Sequence, residues 1–401
     1  MALLSVAEAL ASVTVGLTPL ETDRVALDQA RGRVLAEDLA APLTQPPFDA
    51  SAMDGYAVRA QDVAALPAKL KLVGQSAAGA GFRGRVGHGE AVRIFTGAPV
   101  PHGADMIVIQ ENAEEVSGVV TVKEAETGRH IRPRGQDFKQ GEVLLKAGTR
   151  LGPRELMLAA AMNQAELPVR RKPKVAILAT GDEVVSPGSE LGPDQIVSSV
   201  PCGLAALIER HGGEAMSLGI ARDEPESIVT LARSGSDADI LLTIGGASVG
   251  ERDLVASTLK AEGLELDFWK IAMRPGRPML FGRLGSQRVL GVPGNPVSAL
   301  ICAHVFLKPM LDKMLGLAAE TRPETEAVLG AALEANSERE HYMRAVSEWR
   351  EDGTRIVRPL PSQDSSLVAA LARADCLIVR PPHAPALGSG ARIRIVPLDR
   401  D

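Results

Sequence analysis

The spacing of hydrophobic and polar residues changes along the chain and predicts different elements in each part. Apolar residues recur at helical spacing within residues 5–40, where Ser5 is a candidate N-cap and 32–40 is a second candidate helix. Over residues 69–151 apolar and polar residues alternate, which is typical of half-buried strands. Helical spacing returns over 152–163. We therefore expect a β domain inserted into a helical or mixed domain.

The second half of the chain alternates short apolar runs with amphipathic helical segments. A linker rich in basic residues, 168–173, leads into it. Helices are expected over 199–211 and from about 298 to 314. Buried strands are predicted at 175–179, 216–220, 240–244, 266–273, 279–281 and 289–291. The alternation of strands and helices indicates a parallel sheet, which binds its ligands at the carboxyl ends of the strands.

The pattern becomes β again beyond Pro323, with strands expected over 340–346, 355–358, 374–379 and 391–396. We interpret this part as a small separate β module, in which His341 is a surface strand residue rather than a ligand. The predicted fold class is therefore multidomain α/β plus β. The expected domains are a helical or mixed linking domain (1–45 and 146–172), an inserted β-rich domain (46–145), an α/β domain (173–322) and a C-terminal β domain (323–401).

Composition and charge narrow the class of protein. The 401 residues carry a formal net charge of −6, which argues against a nucleic-acid-binding protein, because such binding relies on a basic surface. The three cysteines are far apart and form no zinc-binding spacing, which suits a reducing cytoplasm. We expect no signal peptide and no membrane span, because no run of about 18 uncharged apolar residues occurs.

Glycine and acidic residues collect where the predicted strands of the sheet end. The strand at 240–244 runs into a glycine loop, 245–250, and then into an acidic helix start that includes Asp253. Strand, glycine loop and helix N-terminus is an arrangement that binds phosphates and other oxyanions. Similar polar segments follow other predicted strands, at 180–183, 223, 274–277 and 294–298. We interpret them together as a crevice for phosphate and metal, with Mg²⁺ held by Asp182, Glu183 and Asp253.

Simpler explanations stay open for these segments. Acidic residues are favoured in the first turn of any helix by its dipole, and glycines end strands in many folds. In the inserted β part, Asp49, Ser51 and Asp54 form a polar loop that is either a capped turn or a carboxylate site for a metal or ligand. Arg134 and Asp137 flank a glycine, and they are either solvated turn residues or contacts for an anion or metal.

Seven segments together resemble the molybdopterin molybdenumtransferase family, also called MoeA or the gephyrin E domain. They run in the family's order along nearly the whole chain: 48–58, 96–101, 132–137, 180–183, 245–253, 274–278 and 293–298. The resemblance implies an elongated homodimer, whose subunit has a MogA-like parallel α/β domain and a C-terminal β-barrel-like domain. It also implies that adenylylated molybdopterin and molybdate react with the help of Mg²⁺. The pyrophosphate link is cleaved, AMP leaves, and molybdenum cofactor forms.

The resemblance also implies roles for individual residues. The implied catalytic carboxylates are Glu183, Asp253, Asp54, Asp137 and Asp223. Substrate contacts are implied for Thr96, Arg134, Thr180, Gly181, Asp182, Gly245, Gly246, Ser248, Gly250, Pro293, Gly294, Asn295 and Ser298. The implied molybdate site consists of Arg274, Arg277, Arg344 and Ser365. Thr96 and Arg134 would come from the inserted domain of the same or the partner subunit. The implied protein partners are molybdopterin adenylyltransferase and proteins that mature molybdoenzymes.

Two departures from the family pattern bear on this site. Arg274 and Arg277 stand where lysines are common, which keeps the charge and changes the geometry. Residues 198–200 read Ser-Ser-Val where Asp-Ser/Thr-Asn is usual, which weakens the transfer of nucleotide contacts there. Two other functions stay open, a non-catalytic molybdopterin-binding scaffold and a molybdopterin adenylyltransferase. The retained carboxylates argue against the first, and the additional β domains argue against the second.

Overall fold

The computed structural model describes residues 3–126, 130–246, 254–317 and 325–398. The N-terminal part begins with helix α1 (Val6–Thr14), and Ser5 caps it as the sequence predicts. Ser5 Oγ accepts a hydrogen bond from the Glu8 N–H at 3.2 Å, and the Glu8 carboxylate accepts one from the Ser5 N–H at 2.9 Å. The short strands β1 (Thr22–Ala26) and β2 (Leu39–Ala40) follow, with a 3₁₀ turn at Leu27–Gln29 between them.

The inserted part is rich in β-structure, as predicted. Its strands are β3 (Ala50–Ser51), β4 (Gly55–Val58), β5 (Ala68–Ser76), β6 (Glu90–Ile94), β7 (Met106–Ile109), β8 (Ala113–Val116), β9 (Val119–Val122), β10 (Ile131–Arg132) and β11 (Val143–Leu145). Six of them form one sheet in the order β7-β4-β6-β5-β9-β8. Separate clusters of buried apolar residues pack on its two faces, which gives the insert a core of its own.

Helix α2 (Pro153–Ala161) and strand β12 (Glu166–Arg170) return the chain to the N-terminal part, where β12 pairs antiparallel with β1 and β11 pairs with β2. The linker predicted at 168–173 is therefore wrong where it overlaps β12.

The helix predicted over 32–40 is also wrong. Gly32 has a positive φ of 73°, and the Leu35 N–H donates to the Thr149 carbonyl at 2.9 Å. Pairing with distant segments satisfies this backbone, so no helix forms.

The second half of the chain forms the α/β part. Its elements are β13 (Lys174–Thr180), β14 (Val184–Val185), β15 (Ile196–Val197), α3 (Val200–Arg210), β16 (Glu214–Ala221), α4 (Pro225–Ser234), β17 (Ile240–Ile244), α5 (Leu254–Ala261), β18 (Glu265–Trp269), β19 (Met273–Arg274), β20 (Leu280–Leu284), β21 (Gln287–Val292), α6 (Pro296–Cys302) and α7 (Lys308–Met314). A π-helical turn, Ala303–Leu307, joins α6 and α7 into one continuous helix. The single strand predicted over 266–273 is wrong, because Lys270 adopts a positive φ of 80° and separates β18 from β19.

Six of these strands form a sheet in the order β16-β13-β17-β21-β20-β18. The first four run parallel, as predicted. The prediction is wrong for β20, which runs antiparallel to both of its neighbours, β21 and β18. Only residues 285 and 286 connect β20 to β21, and a parallel crossover needs a far longer connection. The carboxyl ends of β13, β17 and β21 meet at one edge of the sheet.

The C-terminal part is a closed barrel. Its elements are β22 (Thr325–Leu329), β23 (Glu340–Trp349), β24 (Arg355–Pro359), α8 (Val368–Arg373), β25 (Cys376–Arg380) and β26 (Arg392–Pro397). The strand order β23-β24-β22-β26-β25 closes because β25 pairs back with β23. Strand β19 adds to β23, and Tyr342 joins the core of the α/β part, so the barrel packs directly on that part. The predicted multidomain α/β plus β fold is confirmed, and the domain limits stay a prediction.

The helices that the structure describes include none that is both long and apolar enough to cross a membrane.

Candidate active site

A cleft of ≈ 760 Å³ lies at the edge where the parallel strands end. The loops after β13, β17 and β21 line it from the α/β part, with Gly245 and Gly246 between the other two loops. Ser366 and Val368 line it from the barrel. Pockets of roughly 300–1,000 Å³ are typical of small-molecule sites. The cleft therefore lies where the sequence predicts a crevice, and the barrel forms one of its walls.

The floor of the cleft consists of backbone. Gly181 and Gly245 have positive φ angles of 136° and 85°, which favour glycine. A Cβ on Gly245 would lie 3.2 Å from Thr180 Oγ1, and a Cβ on Gly294 would lie 3.7 Å from the Gly245 Cα. The Thr180 hydroxyl donates to the Ile244 carbonyl at 3.4 Å, which ties two strand ends together. A floor without side chains lets a ligand approach backbone N–H groups closely, as phosphate groups require.

Two of the predicted carboxylates, Glu183 and Asp223, line the cleft. Asp182 lies beside them and is exposed, and its Oδ1 accepts a hydrogen bond from the Asp223 N–H at 3.2 Å. This hydrogen bond fixes the loop after β16 against the loop after β13. The structure therefore brings Asp182, Glu183 and Asp223 together at one side of the cleft.

The predicted metal site is described only in part. Asp253 lies outside the described residues, and so do Ser248 and Gly250 of the glycine loop. Within the described ranges, no group of three or more His, Cys, Asp or Glu residues is placed to hold a metal ion. Mg²⁺ usually takes one or two carboxylates and completes its coordination with phosphate oxygens and water. Glu183 and Asp223 are two carboxylates at the cleft, which is as many as a Mg²⁺ ion usually takes from a protein.

The loop after β21 leads into α6 along the cleft. Pro293, Gly294 and Asn295 all line the cleft. Asn295 Nδ2 donates to the Ser365 hydroxyl at 2.8 Å, so a predicted residue of the barrel meets a predicted residue of the α/β part. Ser298 is only 4% exposed, lies inside α6 and is not part of the cleft lining.

The three arginines of the predicted molybdate site lie in different surroundings. Arg274 at the end of β19 and Arg277 in the segment between β19 and β20 are both exposed, and Pro278 of the same segment lines the cleft. Arg344 is 1% exposed within the barrel. Its guanidinium group donates to backbone carbonyls of the loop over 362–367. Two of the three arginines are therefore open to a dissolved anion, and the third is engaged by the protein itself.

His341 is 7% exposed, so the prediction of a surface residue is wrong. It lies on β23 in register with Arg274 of β19 and Arg380 of β25. Burial, followed by the positive charges of Arg274, Arg339, Arg344 and Arg380, lowers the pKa of His341 to about 4. The junction between the α/β part and the barrel thus has a positive electrostatic potential, which suits an oxyanion.

The predicted residues of the insert gather at one of its ends. Asp54 Oδ1 accepts hydrogen bonds from the Thr96 N–H and hydroxyl, both at 2.8 Å, and these bonds hold the pKa of Asp54 below its usual range. Asp49 Oδ1 accepts a hydrogen bond from the Arg134 N–H at 2.7 Å. Arg134 and Asp137 are exposed on the segment that follows β10. None of these five residues lines the cleft of its own chain.

Sequence reasoning missed one wall of the cleft. Ile196 and Val197 of β15 line it although they are 59% and 42% exposed. Ser199 and Val200, which belong to the segment 198–200 that departs from the family pattern, continue this wall into α3. Strands β14 and β15 have only two residues each, which is too short for a periodic pattern. Val368 of the opposite wall belongs to the barrel, and no local pattern could have placed it here.

Three family models match successive parts of the chain. The model described as the MoeA N-terminal region (domain I and II) matches residues 4–163, and the MoeA C-terminal region (domain IV) matches 326–398. Between them, the model described as a probable molybdopterin binding domain matches 176–313. The cleft lies mainly within this middle match.

Individual proteins are similar over most of their length. The chain is 35% identical over 385 residues to the molybdopterin molybdenumtransferase of Haemophilus influenzae, covering 95% of each chain. It is 40% identical over 310 residues to the protein of the same name from Synechococcus elongatus, covering 74% of this chain and 76% of that one. A crystal structure of the molybdopterin biosynthesis MoeA protein of Pyrococcus horikoshii matches 100% of both chains, with a TM-score of 0.86 and 30% identity.

Proposed function

Because the chain belongs to the molybdopterin molybdenumtransferase family, we propose that it inserts molybdenum into molybdopterin. The proposed substrates are adenylylated molybdopterin and molybdate. The pyrophosphate link is cleaved, AMP leaves, and the dithiolene of the pterin binds molybdenum to give molybdenum cofactor. The observation that carries the proposal is the cleft, which combines a glycine floor, carboxylates and nearby arginines.

The glycine floor supports binding of the pyrophosphate group. Gly245 and Gly294 lie side by side without side chains, since a Cβ on Gly294 would be 3.7 Å from the Gly245 Cα, so a ligand at this point meets backbone. The proposed substrate contacts in the cleft are Thr180, Gly181, Gly245, Gly246, Pro293, Gly294 and Asn295. Cleavage of a phosphoanhydride depends on charge neutralisation and on a placed oxygen nucleophile. We therefore assign no protein nucleophile.

Glu183 and Asp223 are the described carboxylates that would hold Mg²⁺, and Asp253 is proposed beside them from its sequence position. When bound, Mg²⁺ neutralises charge on the pyrophosphate oxygens. Asp182 holds the Asp223 loop in place through its hydrogen bond at 3.2 Å. The two cleft carboxylates would repel the substrate phosphates without a cation, so the reaction should require one.

Arg274 and Arg277 are the proposed contacts for molybdate. Molybdate is a tetrahedral dianion, and exposed guanidinium groups can bind its oxygens in pairs. Both side chains are exposed next to Pro278 of the cleft lining. The Ser365 hydroxyl, which the Asn295 amide already contacts at 2.8 Å, is a proposed further contact.

The insert supports a homodimer. Asp54, Thr96, Arg134 and Asp137 gather at one end of the insert and line no part of their own cleft. We assign these residues to the cleft of the other subunit, so that two subunits complete each other's sites. A dimer of this kind would lose activity at subunit concentrations below its dissociation constant.

The chemistry of substrate and product implies the protein partners. A molybdopterin adenylyltransferase must supply the adenylylated pterin, and proteins that mature molybdoenzymes must take the product. We place the reaction in the cytoplasm, with neither nucleic acid nor membrane as a partner. The net charge of −6 supports the exclusion of nucleic acid.

The test is AMP release from adenylylated molybdopterin, with and without molybdate and Mg²⁺. We expect release only when both are present, and a loss of about 100-fold in Glu183→Gln and Asp223→Asn, because charge neutralisation would fail. Glu190→Gln is a matched control, since Glu190 is exposed in the same region and does not line the cleft. Binding of the adenylylated pterin without AMP release would indicate a scaffold. ATP consumption without molybdate would indicate an adenylyltransferase.

A further inference from the structure

One end of the insert carries a carboxylate whose position depends on two strand ends. Asp54 lies directly before β4, and Thr96 lies two residues after β6. Asp54 Oδ1 accepts hydrogen bonds from the Thr96 N–H and hydroxyl, both at 2.8 Å. Its Oδ2 accepts none from the parts of the chain that the structure describes, so this oxygen can meet a ligand. Strands β4 and β6 pair antiparallel, and the carboxylate keeps its place only while their ends stay together.

Arg93 of β6 connects these strand ends on one face of the sheet. It stands in register with Tyr56 of β4, and its side chain crosses β4 to reach Gln110, which follows β7. Its Nη2 donates to Gln110 Oε1 at 2.7 Å, and its Nη1 donates to the Gly55 carbonyl at 3.4 Å. The Gln110 N–H in turn donates to the Asp54 carbonyl at 3.1 Å. Arg93 therefore acts on the backbone of Asp54 through two bonded partners.

Two aromatic rings hold the same guanidinium group in place. Arg93 Cζ lies 5.0 Å from the centre of the Tyr56 ring and 5.1 Å from that of the Phe95 ring. A guanidinium group within about 6 Å of a ring centre is attracted to the face of the ring. Phe95 directly precedes Thr96, so this contact orients the residue that donates to Asp54. The Thr96 hydrogen bonds lower the pKa of Asp54, and the positive charge of Arg93 lowers it further.

We propose that Arg93 is a positioning residue, whose planar guanidinium group holds the Asp54 carboxylate and the Thr96 hydroxyl in one arrangement at the end of the insert. Arg93 acts through these two residues. A carboxylate that must meet a metal ion or a substrate in the cleft of another subunit gains from being fixed beforehand, because ordering it during binding would cost free energy. The catalytic consequence of the proposal rests on the proposed function, and the held geometry does not.

The first test is hydrogen exchange of the ligand-free chain, together with an NMR titration of Asp54. Arg93→Met keeps an apolar stem and removes the charge and every donor. Arg93→Lys keeps the charge and removes the planar fork of donors. Arg83→Met is the matched control, because it removes the same charge from an exposed position of the same insert.

We expect the Thr96 amide to exchange about tenfold faster in both Arg93 variants, as for other lost hydrogen bonds to a charged group, and at the native rate in Arg83→Met. The pKa of Asp54 should rise in Arg93→Met. Native exchange of the Thr96 amide in Arg93→Met would overturn the proposal. Native exchange in Arg93→Lys would also overturn it, because charge without the planar group would then be sufficient. If Arg93→Met does not fold, Arg93→Lys and the control decide the question.

The second test is kinetic. Arg93→Met should lower kcat for AMP release roughly 10- to 100-fold, as for a misplaced active-site group, with little change in the KM for molybdate. Adding Arg93→Met to Asp54→Asn should cost little more than Asp54→Asn alone, because both changes act on one carboxylate. Losses that multiply in the double variant would overturn the proposal. If the native chain releases no AMP, the proposed function fails, and the exchange result still decides whether Arg93 holds Asp54 and Thr96 together.

Discussion

Replacing Gly245 by alanine should destabilise the α/β part without removing any side-chain contact. Gly245 has a φ of 85°, and a left-handed conformation costs an L-residue roughly 1–2 kcal/mol. The added Cβ would lie 3.2 Å from Thr180 Oγ1 and 3.3 Å from the Thr180 carbonyl oxygen, so the end of β13 must also shift. For a unit of this size each kcal/mol lowers Tm by about 2–4 °C, so we expect a fall of roughly 2–8 °C.

Gly294→Ala is compared with Gly245→Ala. For both variants, stability is measured by thermal unfolding and AMP affinity by calorimetry. The Cβ added at Gly294 would be in ordinary contact, 3.7 Å from the Gly245 Cα, so we expect nearly native Tm. The methyl group would occupy the cleft floor, and a loss of about 1.4 kcal/mol would weaken AMP binding roughly tenfold.

Gly203→Ala in α3 is the control, because nothing lies within 4 Å of its added Cβ and Gly203 does not line the cleft. It should keep AMP affinity and gain stability, since alanine is favoured inside a helix. Equal Tm values for the Gly245 and Gly294 variants, or unchanged AMP binding by Gly294→Ala, would refute the account of the floor.

Other predictions concern charged and polar groups. His341 has a pKa of about 4, below the value near 6.5 of an unfolded histidine, so protonation favours unfolding. Urea titrations should show about 2 kcal/mol lost from pH 7 to pH 5 through this group, and His341→Gln should remove that part of the slope. Thr96→Val removes the hydroxyl that donates to Asp54 at 2.8 Å and keeps the backbone N–H donor, so the pKa of Asp54 should rise in an NMR titration. An unchanged pKa would show that the Thr96 hydroxyl does not lower it. Asp239→Asn breaks the paired contacts with Arg171, both at 2.9 Å, and should cost roughly 1.5–3 kcal/mol in urea unfolding, where an unchanged midpoint would count against it.

The local hydrophobic pattern correctly predicts the elements in which every residue has the same degree of burial. The strand Ile240–Ile244 is buried at every position and reads as an unbroken apolar run. The hydrophobic pattern gave wrong predictions where contacts with distant segments of the chain determine the structure. Val34, Leu35 and Ala36 are all buried, so their apolar run fits a helix as well as it fits the paired backbone that actually forms. The direction of β20 was missed because a two-residue connection, not an apolar period, sets it.

The candidate site likewise contains residues that the sequence predicts and residues that it does not. Glu183 and Gly294 could be predicted because carboxyl ends of parallel strands share one edge, which places their loops together. The burial of Arg344 could not be predicted, since its three carbonyl partners lie 18 to 23 residues later in the chain. The exposed pair Ile196 and Val197 gave no periodic pattern, and their place on the cleft depends on the pairing of β15 with β14.

The most direct measurement is the amount of molybdenum bound to the pterin product for each AMP released. The purified chain is given adenylylated molybdopterin, molybdate and Mg²⁺, and the pterin fraction is separated from protein and free molybdate before metal analysis. We expect one molybdenum atom in the pterin fraction for each AMP, and neither product when molybdate is omitted. AMP release that leaves the pterin without molybdenum would contradict this expectation, because the chain would then be a hydrolase of the adenylylated pterin and not a molybdenumtransferase.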